Sequence, residues 1–591
     1  MRLKFLRLIW FILDTKERKR LGTILVLIIF NSLLDFLGLA SILPAVIALK
    51  DPTIVKTNRF LSSIYTAIPF DSVNVFILFL LLSVLFIYII KSVVSVLIVN
   101  YNTLRIFEIS TRLSKKILGV IFNKSLLYIR DNSSSNLYRQ INSYPTLFGS
   151  AILFNLLVLL SESFIVILIL FSILLYNYKV FLIVIGLNGP IIYLFNVKYR
   201  NRIKVLGRSV NTESINLVKV FYNVVQGFVD IKMRNKESDY ANLLMGHTQK
   251  VNRLTASSMV LGLLPSRILE LNAIFVLVII YSTSFLMPIS NEVVFTIIGF
   301  FVIASYRIMP SASKIMQATL AIKNNIYVLP FLYKLLKSDQ QNEPSQKEVL
   351  VFKDKILFNQ VSLSYSKNGR DVLNNFNLEI RKNEMLGIVG ESGAGKSSLV
   401  NLLLGFVRPT SGGIFVDGVG IDSIHINSWR SHIGYVKQDT FIFDGSIAEN
   451  ISLGENSSEA REKIIDCLSR AHLSEFLMEQ KYGIDTQVGE MGGKISGGQK
   501  QRMGIARAIY HNPDVLIFDE ATSALDRDTE REIVNEIREL KDQNKSIIII
   551  AHRYSNLKYC DRILKMEEGQ IKHIFSSFDE FSKYYSYEGV S

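Results

Sequence analysis

The stretch Gly390-Glu391-Ser392-Gly393-Ala394-Gly395-Lys396-Ser397 decides the fold of the C-terminal half of the chain. It matches the pattern GxxxxGK[ST] and lies between an apolar segment, 386–389, and a segment of helical spacing that starts at Ser397. Glycines let main-chain N–H groups turn toward phosphates, and the start of a helix adds a favourable dipole. We therefore predict that this loop and Ser398 bind nucleotide phosphates, with Lys396 on the β- and γ-phosphates and Ser397 on Mg²⁺.

Two carboxylates and a histidine follow two further apolar segments. Asp519 and Glu520 come directly after 515–518, and His552 comes shortly after 547–550. The carboxyl ends of strands in open α/β sheets are where ligands bind. We expect Asp519 to hold Mg²⁺ through water, Glu520 to polarise the attacking water, and His552 to contact the γ-phosphate region. Considered without the other motifs, His552 fits a structural role better than a catalytic one.

The first half of the chain has a different composition. Apolar runs long enough to cross a bilayer recur between Leu21 and Leu320. They predict six spans, near 21–49, 73–101, 147–176, 180–198, 259–287 and 292–320. The predicted fold is an α-helical six-span membrane domain over 1–325, a linker over 326–350 and an α/β P-loop ATPase domain over 351–591.

Basic residues outnumber acidic ones, 66 to 51, for a net charge of +15. Alone, this excess suggests either nucleic acid or an anionic membrane face. The basic residues cluster before the first span and in the long gaps 102–146 and 199–258, which favours membrane lipids and makes those gaps and the ATPase domain cytosolic. The two cysteines, Cys467 and Cys560, indicate a reducing compartment. The basic start with no cleavage pattern predicts a retained helix rather than a signal peptide.

The long gaps themselves carry helical apolar spacing over 105–127 and 203–235. This predicts that spans continue as helices into the cytosol and that a short turn between them docks on the ATPase domain; the alternative is a solvated basic loop. The segment 59–68 has an apolar stripe suited to a helix on the membrane surface, or to an ordinary covering loop.

Three basic residues lie inside the expected spans: Lys91, Arg267 and Arg307. At 1.5 Å per residue all three lie roughly 22 to 30 Å from the outer ends, in the inner-leaflet half of the bilayer. One interpretation is a basic ring that receives an anionic head group. The alternatives are snorkelling to the interface, or pairing with an acidic residue of the spans: Asp35, Glu162 or Glu270.

The stretch Ile495-Ser496-Gly497-Gly498-Gln499-Lys500-Gln501-Arg502 resembles the signature sequence of ABC ATPases, which has Leu where this chain has Ile495. Gln438, the run 523–526 and His552 complete the family's pattern. The resemblance implies ATP and Mg²⁺ as cofactors, Tyr365 as the adenine-stacking aromatic and Gln438 as a further Mg²⁺ contact. It also implies that Ser496, Gly497, Gly498 and Gln499 cap ATP bound to a second chain. The partner is then a second copy of the chain, in a homodimer, or a homologous half-transporter.

In the membrane half, 304–314 and 265–267 with the amphipathic segment are similar to bacterial lipid-linked oligosaccharide flippases of the ABC exporter class. The likeness implies ATP-driven movement of an undecaprenyl-diphosphate-linked glycan to the outer leaflet of the bacterial inner membrane. Lys91, Arg267 and Arg307 then meet the diphosphate. Lys91 stands where arginine is expected and lacks its bidentate fork. The alternatives are export of another lipid, a drug or a peptide, or an ATP-gated channel or sensor, against which intact Glu520 and His552 argue. Six spans exclude a nucleic-acid ATPase.

Overall fold

The computed structural model describes residues 2–50, 52–68, 70–176, 178–286, 291–339, 349–365, 370–421, 426–455, 457–489, 492–520, 527–551 and 553–587. The chain forms two compact units. The first unit contains Met1–Lys124 and Tyr128–Gln341, and the second contains Ser125–Leu127 and Asn342–Ser591. Three residues of the first long gap therefore group with the second unit.

The first unit is helical. In chain order its helices are α1 Arg2–Ile12, α2 Thr15–Lys50, α3 Ile54–Thr57, α4 Arg59–Ala67, α5 Val73–Phe122, α6 Leu126–Asp131, α7 Ser134–Tyr138, α8 Tyr144–Leu147, α9 Phe154–Tyr176, α10 Tyr178–Gln226, α11 Phe228–Met233, α12 Glu237–Leu286, α13 Asn291–Asn325 and α14 Val328–Asp339. Two π-helical turns, Arg139–Ser143 and Phe148–Leu153, flank α8.

The six expected spans fall in α2, α5, α9, α10, α12 and α13. Within the described residues, four segments are long and apolar enough to cross a membrane: Thr15–Val46, Val73–Phe122, Ser134–Leu175 and Glu237–Ile279. The spans expected at 180–198 and 292–320 are helical, and many of their side chains lie outside the described part of the chain. The predicted fold class, a helical membrane domain followed by an α/β ATPase domain, is confirmed.

Three helices are far longer than a bilayer requires. α5, α10 and α12 contain 50, 49 and 50 residues. At 1.5 Å per residue each is about 75 Å long, whereas the hydrocarbon core is about 30 Å thick. The helical continuation predicted beyond the second and fourth spans is therefore present.

The core of the first unit joins the ends of several helices. Leu113 and Ile117 of α5 are buried with Ile12 of α1, Phe148 and Leu332 of α14. Since α14 packs in this core, the first part of the stretch 326–350, which was expected to be a linker, belongs to the first unit. That unit ends at residue 341.

The apolar face of α4 packs against protein. Leu61 is 3% exposed and lies in one cluster with Ala48 of α2 and Phe76 of α5. Ile64 and Tyr65 are partly buried against the same cluster, whereas Ile68, which follows α4, is 40% exposed.

The second unit contains two sheets. Strands β1 Lys355–Leu363, β2 Leu373–Arg381, β4 Ser411–Val416 and β5 Val419–Gly420 form an antiparallel sheet in the order β2-β1-β4-β5. Strands β3 Met385–Gly390, β6 Ile433–Val436, β7 Val515–Asp519, β8 Ser546–Ile550, β9 Arg562–Glu567 and β10 Gln570–Phe575 form a second sheet in the order β10-β9-β3-β8-β7-β6. Its helices are α15 Lys396–Leu403, α16 Ile426–Ser431, α17 Ile447–Ser452, α18 Ser458–Arg470, α19 Ser474–Met478, α20 Gly497–Ile509, α21 Arg527–Asp542 and α22 Phe578–Tyr587.

In the second sheet β9, β3, β8, β7 and β6 run parallel, and only β10 runs antiparallel. β3, β7 and β8 are buried almost throughout, as their continuous Val, Ile and Leu runs require. Their carboxyl ends meet at one edge, so the phosphate-loop pattern and the two carboxylates come together there.

Candidate functional site

The phosphate-loop pattern connects β3 to α15. Gly393 and Gly395 have φ values of +88° and +100°, which side chains with a Cβ rarely adopt. A Cβ at Gly395 would also lie only 3.0 Å from the main-chain oxygen of Val372. Glycine is therefore required where the chain turns into the helix, and the exposed Ser397 follows in its first turn.

Lys396 lies inside this loop. Its Nζ donates hydrogen bonds to the main-chain oxygens of Gly390, at 2.6 Å, and Glu391, at 3.0 Å, and the residue is only 7% exposed. Burial lowers the pKa of Lys396, although the charges of Glu520 and Asp519 oppose that shift. A buried ammonium beside the start of a helix fits an anionic phosphate chain, and the Ser397 hydroxyl fits the Mg²⁺ such a chain carries.

Asp519 ends β7, and Tyr435 of β6 lies beside it. The Tyr435 hydroxyl donates to Asp519 Oδ2 at 3.1 Å. Burial raises the pKa of the Asp519 carboxyl, a shift that the tyrosine hydrogen bond opposes. Burial, with the charge of Asp519, also raises the pKa of Tyr435 well above its ordinary value. Sequence reasoning missed Tyr435, whose position on a neighbouring parallel strand is the signal that would have found it.

Glu520 has a φ of +53°, an uncommon backbone conformation for a residue other than glycine. Its N–H donates to Ile550 O at 3.0 Å, and its carboxylate accepts a 2.5 Å hydrogen bond from Gln438 Nε2. Gln501 of α20 donates from Nε2 to the main-chain oxygen of Glu520 at 3.3 Å. Strained conformations of this kind persist only where surrounding contacts hold them. The predicted site residue His552, and the run 523–526, lie outside the described residues.

Tyr365 lies beside the first turn of α15, the helix that follows the phosphate loop. Its hydroxyl donates to Ser398 Oγ at 3.0 Å, and the residue is 38% exposed. Tyr365 is thus partly accessible where its hydroxyl meets this helix.

The signature stretch begins α20. The Ser496 hydroxyl accepts from the Gln499 N–H at 3.2 Å, and Gln499 Oε1 accepts from the Ser496 N–H at 2.8 Å. This reciprocal capping box fixes the helix start. Ser496 and Gly497 are exposed, so the positive end of the helix is open to an external anion.

Part of the chain matches a known family, and most of it is similar to a known protein. Residues 373–523 match the family model for ABC transporters. A Polaromonas protein named ATP-dependent lipid A-core flippase is 31% identical over 463 residues, which is 77% of each chain. The chain belongs to the ABC transporter family.

Two further similarities extend over different parts of this ABC transporter. An uncharacterized ABC transporter ATP-binding protein of Bacillus subtilis is 42% identical over 234 residues, 40% of each chain. A bacterial Atm1-family ABC exporter solved with ATP bound shares the fold, with a TM-score of 0.77 over 98% of this chain and 100% of that one, at 21% identity. The protein is thus an ABC exporter, a membrane protein that couples ATP hydrolysis to substrate translocation.

Two of the three basic residues expected in the spans of this exporter share one carboxylate. Lys91 Nζ lies 2.8 Å from Asp35 Oδ1, and Arg307 Nη2 lies 2.8 Å from Asp35 Oδ2. Arg267 instead pairs with Glu270 on its own helix at 2.9 Å and its side chain is 74% exposed. The structure therefore brings Lys91 and Arg307 together, and no contact among the described residues joins Arg267 to them.

Glu162 has a different partner from those considered in the sequence. Its Oε1 accepts from Lys314 Nζ at 2.7 Å, and its Oε2 accepts from Ser311 Oγ at 2.6 Å. Sequence reasoning missed Lys314. The sequence feature that would have pointed to Lys314 is its spacing of seven residues from Arg307, which puts both cations on one face of α13.

Proposed function

We propose that this exporter flips an anionic lipid-linked oligosaccharide, carried on a polyprenyl diphosphate, from the cytosolic to the outer leaflet of a bacterial inner membrane. The observation that carries the proposal is the group of Asp35, Lys91 and Arg307, in which one carboxylate holds two cations. The group has a net charge of +1. Charges at membrane depth are costly and rare, and they commonly mark substrate or ion pathways.

A diphosphate suits this arrangement chemically. Its oxygens would replace those of Asp35 on the guanidinium of Arg307, which binds phosphate in a bidentate manner, while Lys91 supplies a point charge. Within the described part of the chain, the ion pair that Arg267 makes is an exposed one with Glu270, and such pairs contribute little free energy. Arg267 can therefore turn to a ligand at small cost.

The ATP site has a proposed division of roles. Lys396 binds the β- and γ-phosphates, and Ser397, Asp519 and Gln438 hold Mg²⁺. Glu520, with His552, orients the water that attacks the γ-phosphate. These assignments are supported by the convergence of the loop, β7 and Gln438 at one edge of the sheet.

The second copy of the chain completes each site. One chain carries one phosphate loop and one signature stretch, and the exposed Ser496 lies at the open N-terminus of α20. We propose a homodimer with two composite ATP sites, in which Ser496, Gly498 and Gln499 of one chain cap the nucleotide of the other. A homologous half-transporter would complete the sites in the same way.

A second candidate substrate is a lipid A-core glycolipid. The name of the Polaromonas relative, and of further relatives in Ralstonia and Burkholderia, states that activity for those proteins. Both candidates are phosphorylated glycolipids, so both fit a cationic site. Export of other lipids, drugs or peptides remains the wider alternative.

Flipping by purified protein in proteoliposomes tests the proposal. Labelled lipid-linked oligosaccharide, lipid A-core and a panel of drugs and lipids are compared as substrates. We expect Arg307→Gln and Arg267→Gln to reduce flipping by about 10-fold to 100-fold while basal ATPase activity persists, because a charge-assisted contact of about 1.5 to 3 kcal/mol is lost. Arg105→Gln is the matched control, since Arg105 also pairs with a glutamate three residues away. A stable Arg267→Ala, Arg307→Ala double variant that flips normally would refute the head-group site.

A further inference from the structure

Helix α1 carries apolar side chains both inside and outside the core of the first unit. Ile9 and Ile12 are 5% and 2% exposed and belong to the core that joins α1 to α5 and α14. Leu6 and Trp10 are 54% and 56% exposed. Exposed apolar side chains next to basic ones are typical of helices that lie in a membrane interface. The exposed side of α1 therefore has the composition of a lipid-facing surface.

The place of α1 in the chain puts this surface at the boundary of the bilayer. With 11 residues α1 is about 16 Å long, too short to cross the hydrocarbon core, and it precedes α2, which carries the first expected span. Trp10 lies beside the first turn of α2, because its main-chain oxygen accepts hydrogen bonds from Arg18 Nε at 3.0 Å and Nη2 at 2.7 Å. Tryptophan is enriched at the interface between membrane and water.

The charge that this region presents outward is positive. The first 20 residues contain seven basic and two acidic residues. Both carboxylates, of Asp14 and Glu17, pair with Arg112 of α5, and Glu17 is only 6% exposed. They are therefore neutralised within the protein. Arg7 and Lys19 are exposed, so the surface offered to a membrane is basic.

Arg18 is placed to bind a phosphate. Its guanidinium carbon lies 4.9 Å from the centre of the Trp10 ring, and its Nε and Nη2 are held by the Trp10 oxygen. Its Nη1 makes no hydrogen bond within the described part of the chain. Guanidinium groups form strong, charge-assisted hydrogen bonds to phosphate oxygens. Arg18 is thus fixed beside the tryptophan at the interface and retains a donor for a ligand.

We propose that α1 and the first turn of α2 bind an anionic phospholipid of the cytosolic leaflet. Its phosphate lies on Arg18, its acyl chains begin at Leu6 and Trp10, and Arg7, one turn from Trp10, adds attraction. Charge complementarity selects this lipid, because a zwitterionic head group brings a cation of its own to the basic surface. The site is separate from the group that holds Asp35, so the lipid bound here is not the transported substrate.

Tryptophan fluorescence tests the proposal directly. The chain has two tryptophans, and Trp429 is 0% exposed in the second unit, so bromine atoms on lipid chains can quench only Trp10. The full-length protein is reconstituted in vesicles of equal parts phosphatidylglycerol and phosphatidylcholine, with bromine on the chains of one lipid or of the other. We expect a preference of about 3-fold or more for phosphatidylglycerol at Trp10. Trp10→Phe, which leaves only Trp429, gives the baseline.

Two charge variants and a control locate the selection. The double variant Arg7→Gln, Arg18→Gln should lose the preference while quenching by both lipids persists. Arg7→Gln alone should reduce the preference, and it decides the test if the double variant does not fold. Lys236→Gln is the matched control and should keep the preference, because Lys236 precedes α12 and lies about 33 Å along that helix from the span expected at 259.

Each of three results would overturn the proposal. Equal quenching by the two labelled lipids in the wild-type protein would show that α1 contacts lipid without selecting its charge. Absence of quenching by either lipid would show that protein, such as a second copy of the chain, covers Trp10. A full preference in the folded variants would remove Arg7 and Arg18 from the site. Neither ATP hydrolysis nor flipping enters these readouts, so the outcome is independent of the proposed substrate.

Discussion

The side-chain amide of Gln501 donates a hydrogen bond to the main-chain oxygen of Glu520, with 3.3 Å between nitrogen and oxygen. Gln501 is 2% exposed, and Glu520 has a φ of +53°. Gln501 belongs to the helix that the signature stretch begins, so this helix holds the strained backbone of the proposed water-orienting carboxylate in the same chain.

Replacing Gln501 therefore has a kinetic consequence. Gln501→Leu removes this hydrogen bond to the backbone of Glu520, at a cost of about 1 kcal/mol. We expect kcat for ATP to fall about 10-fold with KM nearly unchanged, since the phosphate contacts remain. Gln480→Leu, which removes a similar hydrogen bond to Phe476 O, is the control. A wild-type kcat in folded Gln501→Leu would show that the bond does not position Glu520.

The carboxylate itself is tested by Glu520→Gln. The amide oxygen still accepts from Gln438, whereas the group that polarises water is lost. We expect hydrolysis to fall by about 100-fold or more while ATP binding persists. Lys396→Ala should instead weaken nucleotide binding. Hydrolysis by Glu520→Gln at the wild-type rate would contradict the assignment.

Composite ATP sites predict complementation between two inactive variants. Lys396→Ala disables the phosphate loop, and Ser496→Arg disables the signature and its capping box. A heterodimer of the two retains one intact site, made from the unmutated half of each chain. We expect ATP binding in that one site, measured with purified heterodimer, and none in either homodimer. Verified heterodimers that bind no ATP would indicate self-contained sites.

Asp35 separates a substrate role of Lys91 and Arg307 from a structural one. Asp35→Asn raises the net charge of the group from +1 to +2 and removes the partner of both cations. If the cations bind a diphosphate, we expect tighter binding of the anionic lipid together with a lower melting temperature. Glu108→Gln, which removes the exposed partner of Arg105 away from the proposed head-group site, is the control. A lower melting temperature with unchanged lipid affinity would leave the group a structural role only.

The hydrogen bond from Tyr435 to Asp519 predicts a pH effect. Burial raises the pKa of Asp519, and the tyrosine hydroxyl partly lowers it. Mg²⁺ requires the ionised carboxylate, so MgATP affinity falls as the pH drops through this pKa. Tyr435→Phe raises the pKa further, and we expect the acid loss of affinity to move to higher pH. Tyr510→Phe, which removes a hydroxyl bound to Glu455, should leave the profile unchanged.

The parts of the site that could be predicted from sequence depend on local chain geometry. The phosphate loop follows β3 directly, and Asp519 and Glu520 lie at the end of β7. To predict these site residues it is therefore enough to locate each strand and read the residues at its end. Parallel strands then bring these ends to one edge regardless of the rest of the fold. The same holds for the capping box at Ser496, which needs only residues three apart.

Other features depend on how elements are rotated against each other. Whether Gln501 faces Glu520 is set by the packing of α20, and its sequence neighbours carry no sign of it. Asp35, Glu162 and Glu270 were all possible partners for the span cations, and helix rotation decides that Asp35 takes two of them. The π-helical turns at 139–143 and 148–153 insert irregular backbone at the start of the third expected span, which hydropathy alone does not reveal.

The continuous helix Val73–Phe122 has a mechanical consequence. It contains 50 residues and no proline, and Lys91 lies in its first half. At 1.5 Å per residue it is a rod of about 75 Å, so a tilt of about 5° about one end moves the other by about 6 Å. Exchange of one ion-pair partner at Lys91 needs only a small local adjustment. In the proposed exchange of Asp35 for a substrate phosphate, a rod of this length would turn a small tilt into a displacement of its far end larger than one helical turn.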